Sequence, residues 1–301
     1  MNVHCSTEPG FGPHLPSLAG IFGPPPSFPG SPRLNPSSRC NCAAHWPPRL
    51  ALLAGGLATR LRPLTTTVPK SLIPVAGEPF LAHQLRLLRA GGIREVVLCC
   101  GFLGSQIEEF AGDGSRFGLS IAYSYDGDTP LGTGGALRAA LPLLGRQFLV
   151  MYGDSWLTEP IEPIWRTFCE SGKPALMTVF RNGNRWGASN VEYRKGLILG
   201  YDKRRPSPDM HHIDYGFQVL DAGVLDHWTV PVFDLADVLS GLADYSMLAG
   251  YETAERFYEI GTLSGLRETE VVVAADAGTP IRDLPFSGCD HPRQKDGPRV
   301  C

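Results

Sequence analysis

Short apolar runs alternate with amphipathic stretches between residues 50 and 152, and this alternation restricts the chain to few folds. The first two runs, Leu50–Leu53 and Glu95–Cys100, have strand length and consist largely of apolar residues. Such a β–α rhythm is typical of a mainly parallel sheet covered by helices. Further apolar runs occupy 119–125 and 148–152, and helical patterns occupy 79–90, 105–110 and 133–141. The sequence therefore predicts an α/β fold on an open, mainly parallel sheet.

The second half of the chain has a different pattern, with apolar runs close together and little room for crossover helices. These runs occupy 175–180, 190–193, 197–201 and 213–220, and helical patterns follow at 235–243 and 263–274. Closely spaced strands favour antiparallel pairing. We expect a smaller, partly antiparallel portion closed by two helices.

Both ends of the chain lack this patterning. Residues 1–48 contain eleven prolines and show no apolar periodicity, and the pattern also stops at about residue 278. Segments of such composition bury too little apolar surface to offset the entropy cost of ordering. The sequence predicts a disordered extension at 1–48, a folded domain at 49–277 and a disordered tail at 278–301.

Charge and hydropathy limit the partners. With a formal net charge of -3, the 301-residue chain has no overall attraction to nucleic acid or anionic lipid, so a polyanion must be held locally. No run approaches the roughly 18 apolar residues of a membrane helix, and we see no secretory signal. The eight cysteines lie in apolar runs or polar ends and are expected to be reduced. We therefore expect a cytoplasmic protein with a small ligand.

A glycine-rich turn follows the first strand and is followed by cations. Ala54, Gly55 and Gly56 leave backbone N–H groups accessible to a phosphate chain, and Arg60 and Lys70 add charge. The turn alone is equally compatible with a purely structural role, and the downstream lysine favours the phosphate site. The spacing matches neither the G-x-x-x-x-G-K-[ST] loop nor the dinucleotide G-x-G-x-x-G fingerprint.

The stretch GGLATRL, residues 55–61, with Pro69-Lys70 behind it, resembles the opening signature of the sugar-1-phosphate nucleotidyltransferases. Ala58 stands where that family usually has glycine, and a methyl group is tolerable there if φ stays negative. The resemblance covers nearly all of residues 50–275 and implies a Rossmann-like, glycosyltransferase-A-like nucleotidyltransferase fold. It implies catalytic roles for Arg60 and Lys70 and a nucleotide contact at Thr59.

Three further motifs extend the resemblance to the nucleotide and metal sites. PLGTGGALR, residues 130–138, is similar to a loop that meets nucleotide and sugar, which implies nucleotide contacts at Gly132, Thr133 and Gly134. VMYGDS, residues 150–155, resembles the strand end whose aspartate binds Mg²⁺, here Asp154. RFYEIGT, residues 256–262, places Glu259 at the second metal-binding position.

The resemblance also implies a sugar-phosphate site. NVEY and YDKR are similar to a sugar-contacting glutamate and a Glu-Lys-Pro element, which implies binding roles for Glu192 and Lys203. Asp202 and Arg204 replace the glutamate and the proline of that element. IDYGFQVLD, residues 213–221, occupies the place of an N-T-G strand beneath the sugar, which implies contacts from Tyr215 and Gly216.

The resemblance implies transfer of a nucleotidyl group from an NTP to a sugar 1-phosphate with Mg²⁺, and it is compatible with a homo-oligomer. PLGTGGALR resembles both the guanylyltransferases that act on mannose or heptose 1-phosphate and the small uridylyltransferases that act on N-acetylmuramate or glucose 1-phosphate. We favour GTP with mannose or heptose 1-phosphate, and uridylyl transfer to another sugar 1-phosphate stays open. A non-catalytic, nucleotide-sugar-binding regulatory subunit is a second interpretation, although Arg60, Lys70 and Asp154 are all present. A glycosyltransferase D-x-D pair at Asp126-Gly127-Asp128 is a third, and Pro130 favours a plain loop there.

Overall fold

A computed structural model describes residues 46–276 except Leu57 and His227, and these residues belong to one compact unit. Residues 1–45 of the predicted extension and the whole predicted tail lie outside the described residues. Trp46 packs against the core, and a Cβ on Gly92 would lie 3.2 Å from its ring. Residues 46–48 of the predicted extension are thus among the described residues.

A nine-stranded sheet forms the centre of the domain, and two further sheets have two short strands each. In spatial order its strands are β5 (Ser120–Tyr125), β4 (Glu95–Cys100), β1 (Leu50–Leu53), β6 (Gln147–Tyr152), β11 (His212–Asp221), β8 (Ala175–Arg181), β12 (Leu248–Thr253), β10 (Leu197–Tyr201) and β9 (Val191–Arg194). The short pairs are β2 (Pro74–Val75) with β3 (Glu78–Pro79), and β7 (Ser155–Trp156) with β13 (Tyr258–Glu259).

The sheet has a parallel half and a mixed half. Strands β5, β4, β1 and β6 are parallel, as the β–α rhythm predicts. Strand β11 is antiparallel to both β6 and β8, and β12 is parallel to β8. Strand β9 also pairs with β11 at His212 and Val191, which closes the last five strands into a small barrel. The α/β class and the partly antiparallel second portion are confirmed, whereas the expectation of an open sheet is not, because the last five strands close on themselves.

Six helices of the described part cover the sheet or its edge. They are α1 (Phe80–Ala90), α2 (Gly104–Ala111), α3 (Gly132–Leu144), α4 (Ile161–Ser171), α5 (Leu235–Asp244) and α6 (Leu263–Asp276). Leu50 and Leu52 of β1 pack on the face covered by α1, α2 and α4, and Ala51 packs on the face covered by α3 and α5. Burial on both faces explains the continuous apolar runs of the central strands. None of the described helices combines the length and apolarity that a membrane span requires.

A third apolar cluster lies beside the sheet and joins segments distant in sequence. Its buried members are Leu61, Ile73, Val75, Phe80, Trp156, Ile260, Leu266 and Val273. They come from the loop after β1, the β2–β3 pair, β7, the segment after β13 and α6. This cluster therefore anchors every loop that carries a predicted phosphate- or metal-binding residue of the first half.

Candidate active site

The turn after β1 places bare backbone at the carboxyl edge of the sheet. Ala54 donates its N–H to Cys99 O at 2.9 Å, which continues the parallel pairing beyond the strand. A Cβ on Gly55 would lie 3.1 Å from Gly101 N, whereas a Cβ on Gly56 would meet no atom within 4 Å. Among the hydrogen bonds of the described residues, none uses the N–H of Gly55 or Gly56. Both donors are therefore available to a phosphate that approaches this turn.

Arg60 lies in a 3₁₀ turn, Thr59–Leu61, directly behind the glycines. Ala58 precedes this turn at φ 46°, in the left-handed conformation that costs an L-residue roughly 1–2 kcal/mol. The condition of a negative φ, under which a methyl group is tolerated at this position without strain, is therefore not met. The buried hydroxyl of Thr65 donates to Ala58 O at 2.9 Å and holds the conformation in place. Thr59 and Arg60 are exposed and open to a ligand.

Lys70 and Asp154 form an ion pair although 84 positions separate them in the chain. Lys70 Nζ lies 2.5 Å from Asp154 Oδ2, and the two side chains are only 15% and 29% exposed. Pro69, in the extended conformation, directs the chain into the 3₁₀ turn Lys70–Leu72 that carries the lysine. Asp154 O accepts the N–H of Ile260 at 2.9 Å, which fixes the aspartate from the other side.

Glu259 is brought beside Asp154 by the pairing of two very short strands. Strand β13 is antiparallel to β7, with Glu259 opposite Ser155. Burial raises the pKa of Glu259, and the charge of Asp154 raises it further. The cations that act in the opposite direction are those of Lys70, Arg60 and Lys203. Two carboxylates and three cations therefore share one electrostatic environment.

The surroundings of Gly261, two residues beyond Glu259, show that Glu259 and Arg60 lie close together. A Cβ on Gly261 would lie 3.3 Å from Glu259 Oε1 and 3.5 Å from Arg60 Nη2. Arg60 thus reaches from the loop after β1 across to the segment after β13.

Asp154 and Glu259 are the residues that could hold Mg²⁺. Asp154 Oδ1 makes only a 3.5 Å contact with Ser155 Oγ, so this oxygen keeps acceptor capacity. The repulsion that raises the pKa of Glu259 is of the kind that a divalent cation relieves. The described residues contain no group of three metal-binding side chains, and Mg²⁺ commonly takes one or two carboxylates with phosphate oxygens and water. This pair therefore fits Mg²⁺ that arrives with a phosphorylated ligand.

Lys203 lies in the loop after β10 and reaches a buried carboxylate. Its Nζ is 3.0 Å from Asp214 Oδ2 and 4.9 Å from the centroid of the Tyr152 ring. Asp214 is 1% exposed and also accepts hydrogen bonds from Tyr201 Oη at 2.9 Å and Gln218 Nε2 at 2.8 Å. Burial acts to lower the pKa of Lys203, but Asp214 and the two tyrosines outweigh it and raise that pKa well above the usual range. Lys203 is therefore a fixed positive charge.

Tyr215 and Gly216 lie where β11 shifts its register against β8. Gly216 has φ 88°, and a Cβ there would lie 2.9 Å from Ser155 Oγ, so the position requires glycine. Tyr215 is 1% exposed and packs edge-on against Phe257, with the ring centroids 6.3 Å apart. The Tyr215 side chain thus belongs to the core, and only its backbone is left for the predicted sugar contact.

Glu192 lies near an arginine of its own strand. Its Oε1 lies 3.6 Å from Arg194 Nη2, and its side chain is 30% exposed. Gly200 is its cross-strand partner. The predicted contact of Glu192 with sugar hydroxyls stays a prediction.

The first turn of α3 is covered by the protein's own chain. Gly134 N donates to Phe233 O at 3.0 Å, and Thr133 N donates to Asp234 Oδ1 at 3.4 Å. A Cβ on Gly132 would lie 2.5 Å from Phe233 O. The N–H groups of Thr133 and Gly134 thus have partners within the protein, and the nucleotide contacts of Gly132, Thr133 and Gly134 stay predictions.

Two residues near the site were given no role in the sequence analysis, and a third, Asp126, was considered only for a D-x-D pair. Asp126, just beyond β5, has Oδ2 only 3.5 Å from the place of a Cβ on Gly55, and burial raises its pKa. Tyr152 and Asp214 both contact Lys203. For Asp126 the available signal was its place directly after a predicted strand. The contact between Tyr152 and the lysine depends on tertiary packing.

Residues 51–186 match the family model described as nucleotidyl transferase. An N-acetylmuramate alpha-1-phosphate uridylyltransferase of Neisseria meningitidis is 48% identical over 104 residues, which are 34% of this chain and 45% of the relative. The low-salt glycan biosynthesis nucleotidyltransferase Agl11 of Haloferax volcanii is 41% identical over 181 residues, 58% of this chain and 50% of the relative. The chain thus spans about half the length of these curated relatives.

Solved structures show the same fold at low sequence identity. HddC from Yersinia pseudotuberculosis matches with a TM-score of 0.62 and 20% identity, over 74% of this chain and 98% of that one. A UDP-glucose pyrophosphorylase from Acinetobacter baumannii matches with a TM-score of 0.61 and 16% identity, over 76% and 94% of the two chains. Residues 51–186 are therefore similar to nucleotidyl transferases, and the described domain shares the fold of these solved structures.

Proposed function

We propose that this chain joins a nucleoside triphosphate to a sugar 1-phosphate and releases pyrophosphate and a nucleotide sugar. The observation that carries this proposal is the convergence of Lys70 on Asp154 at 2.5 Å, with Arg60, Glu259 and Lys203 in the same field of charges. A triphosphate needs such cations, and a divalent ion needs such carboxylates.

The reaction places few chemical demands on the protein beyond alignment and charge. The attacking oxygen of a sugar 1-phosphate is already anionic near neutral pH, so no general base is required. The barrier comes from bringing two anionic phosphates together in line, and positioned cations lower it. The free N–H groups of Gly55 and Gly56 and the side chains of Arg60 and Lys70 bind the triphosphate, and Lys203 holds the attacking phosphate.

Bound Mg²⁺ would supply neutralisation of charge on the phosphate oxygens and the departing pyrophosphate. Asp154 and Glu259 would hold it. Lys70 pairs with Asp154 and so holds this carboxylate beside the proposed triphosphate site.

For the nucleobase, we propose guanine, with uracil as the competing choice. Asp126 lies beside Gly55, and an ionised carboxylate accepts hydrogen bonds but cannot donate them, so it suits the base end of the ligand rather than its phosphates. Guanine offers two adjacent N–H donors to a carboxylate, whereas uracil offers one. The uridylyltransferase relative at 48% identity supports the competing choice.

The sugar and the setting of the reaction are also proposals. Mannose or heptose 1-phosphate follows from the loop at 130–138, and N-acetylmuramate 1-phosphate is the alternative that the same relative supports. Buried, unpaired thiols at Cys99 and Cys100, whose pKa burial raises to about 12, suit a reducing cytoplasm. We propose this cytoplasmic setting whether the protein is a monomer or a homo-oligomer.

The test is release of pyrophosphate from each of ATP, GTP, CTP, UTP and dTTP, combined in turn with each sugar 1-phosphate and Mg²⁺. We expect the signal to require both substrates and the metal, and to be strongest with GTP. A signal with UTP and N-acetylmuramate 1-phosphate would correct the base and sugar and keep the reaction. Nucleotide binding without pyrophosphate from any pair would contradict the reaction and support a regulatory subunit.

A further inference from the structure

The loop after β10, residues 202–205, is fixed by three sets of side-chain contacts. Asp202 Oδ1 accepts the N–H groups of Arg204 at 2.7 Å and Arg205 at 2.8 Å, which fixes the turn. Lys203 extends toward Asp214, at 3.0 Å. Arg204 extends to a different element altogether, the first turn of α5.

Arg204 contacts this turn with both terminal nitrogens of its guanidinium, Nη1 and Nη2. Nη1 lies 3.0 Å from Asp237 Oδ1, and Nη2 lies 3.4 Å from Asp237 Oδ2. Nη2 is also 4.0 Å from Asp234 Oδ2. A two-armed arginine–carboxylate pair fixes orientation as well as distance. Carboxylates at a helix N-terminus are favoured by the helix dipole, so both aspartates are stable in these places.

The first turn of α5 is in turn joined to the first turn of α3. Asp234 precedes α5, and its Oδ1 accepts from the N–H and the hydroxyl of Thr133, each at 3.4 Å. The same hydroxyl accepts the N–H of Leu235 at 2.8 Å. The two helices thus cap each other's N-termini. A continuous set of contacts runs from the loop of Lys203 through α5 to the segment predicted to meet the nucleotide.

We propose that Arg204 is a positioning residue that sets the place of the Lys203 ammonium relative to the nucleotide half of the site. This inference rests on the proposed function, since it gives the ammonium a phosphate to hold. Arginine replaces the proline of the resembled Glu-Lys-Pro element, so the bridge belongs to this chain rather than to the resembled pattern.

The expected effect is modest, because Arg204 is 70% exposed and ion pairs on a surface are weak. We expect Arg204→Ala to raise KM for the sugar 1-phosphate about two- to fivefold. KM for the NTP and the melting temperature should change little, because neither the triphosphate contacts nor the core is touched. Arg204→Lys should reverse part of this rise in KM, since it restores the charge without the two-nitrogen contact of the guanidinium.

Arg205→Ala is the matched control. It removes the same charge from the next residue, whose side chain is 90% exposed and 4.0 Å from Asp202 alone. We expect its KM to stay at the wild-type value. Asp237→Ala should reproduce the effect of Arg204→Ala, and the double variant should be no worse than either single variant.

Any of three results would overturn the inference. The KM for the sugar 1-phosphate could be equal in Arg204→Ala and wild type, it could rise equally in the two arginine variants, or the rises could add in the double variant. A wild-type protein inactive with every substrate pair would instead contradict the proposed function. The positioning role is then measured by the dissociation constant of inorganic phosphate, with Lys203→Ala to identify the phosphate bound there. Weaker binding in Arg204→Ala but not in Arg205→Ala supports the inference, and equal binding in both overturns it.

Discussion

Two glycine-rich turns of this chain have similar sequences and opposite surroundings. At Gly56 a Cβ would meet no atom within 4 Å, and no described hydrogen bond uses its N–H. At Gly132 and Gly135 a Cβ would lie 2.5 and 2.6 Å from the carbonyls of Phe233 and Pro231. The first turn exposes its backbone to a ligand, whereas the second lacks side chains so that another segment of the chain can pack on it.

The difference shows that glycine content alone does not identify a phosphate site. What separates the two turns is the partner of the backbone N–H groups. In the first turn they are available, and in the second Gly134 and Gly135 donate to Phe233 O. Substitutions in the first region should therefore change activity, and those in the second should change stability.

The largest expected effect is that of Lys70→Gln, beside the first turn. The amide can still donate to Asp154 but carries no charge to the triphosphate. We expect kcat/KM to fall on the order of 10²- to 10³-fold, about 3 kcal/mol in the transition state, comparable with loss of one oxyanion donor. Steady-state pyrophosphate release measures it. Lys173→Gln removes the same charge elsewhere and should stay near wild type, and a loss as large in this control would contradict the assignment of Lys70.

The second prediction compares Gly132→Ala with Gly56→Ala. The methyl group at Gly132 meets a backbone carbonyl at a residue with φ 73°, so we expect the free energy of unfolding to fall by about 2 kcal/mol. At Gly56 we expect a change within about 0.5 kcal/mol and a loss of activity of tenfold or more. Urea unfolding and pyrophosphate release measure the two quantities. Equal loss of stability in both variants would abolish the contrast.

The third prediction concerns Glu259, the second proposed metal ligand of the first region. Burial and Asp154 raise its pKa, so the folded state holds this proton more tightly than the unfolded state. Its contribution to stability therefore falls as pH rises from the usual glutamate range to the raised pKa, and Mg²⁺ binding weakens as pH falls through the same window.

Glu259→Gln should accordingly remove this pH dependence of the Mg²⁺ requirement and raise that requirement about tenfold. Without metal at neutral pH the variant should be at least as stable as wild type, since one of two repelling charges is gone. Mg²⁺ titrations at several pH values and thermal unfolding measure both effects. An unchanged Mg²⁺ requirement in the variant would remove Glu259 from the metal site.

The smallest expected effect is that of Ala58→Gly. Relief of the left-handed strain exceeds the added entropy of the unfolded chain, so we expect a gain of about 0.5 kcal/mol. Urea unfolding measures it. A loss of stability would mean that Ala58 does not hold a positive φ in solution.

The central strands could be predicted because their signal is local. Leu50–Leu53 and Glu95–Cys100 are buried on both faces and therefore read as unbroken apolar runs. Helix α3 was predicted to end before Pro142 and continues to Leu144, since a proline in the last turn removes only one hydrogen bond.

Other elements depend on partners that a local pattern does not contain. Strand β12 carries Gly250 in its middle, where a Cβ would lie 2.7 Å from the Tyr193 ring, so its glycine is explained by a side chain of β9, two strands away in the sheet. Helix α4 begins after Pro160 and contains Pro163, and this hid its periodicity. The pairing of β7 with β13 spans two residues and has no readable pattern, yet it brings Glu259 to Asp154.

The central claim is that one triphosphate–metal site lies between the first glycine turn, Lys70 and the two carboxylates. The most direct test is a crystal structure with Mn²⁺ and a non-hydrolysable NTP, in which anomalous scattering locates the metal. We predict a peak bound by Asp154 and Glu259, with the triphosphate along Gly55 and Gly56. A triphosphate at the first turn of α3, or a metal away from Asp154, would contradict the claim.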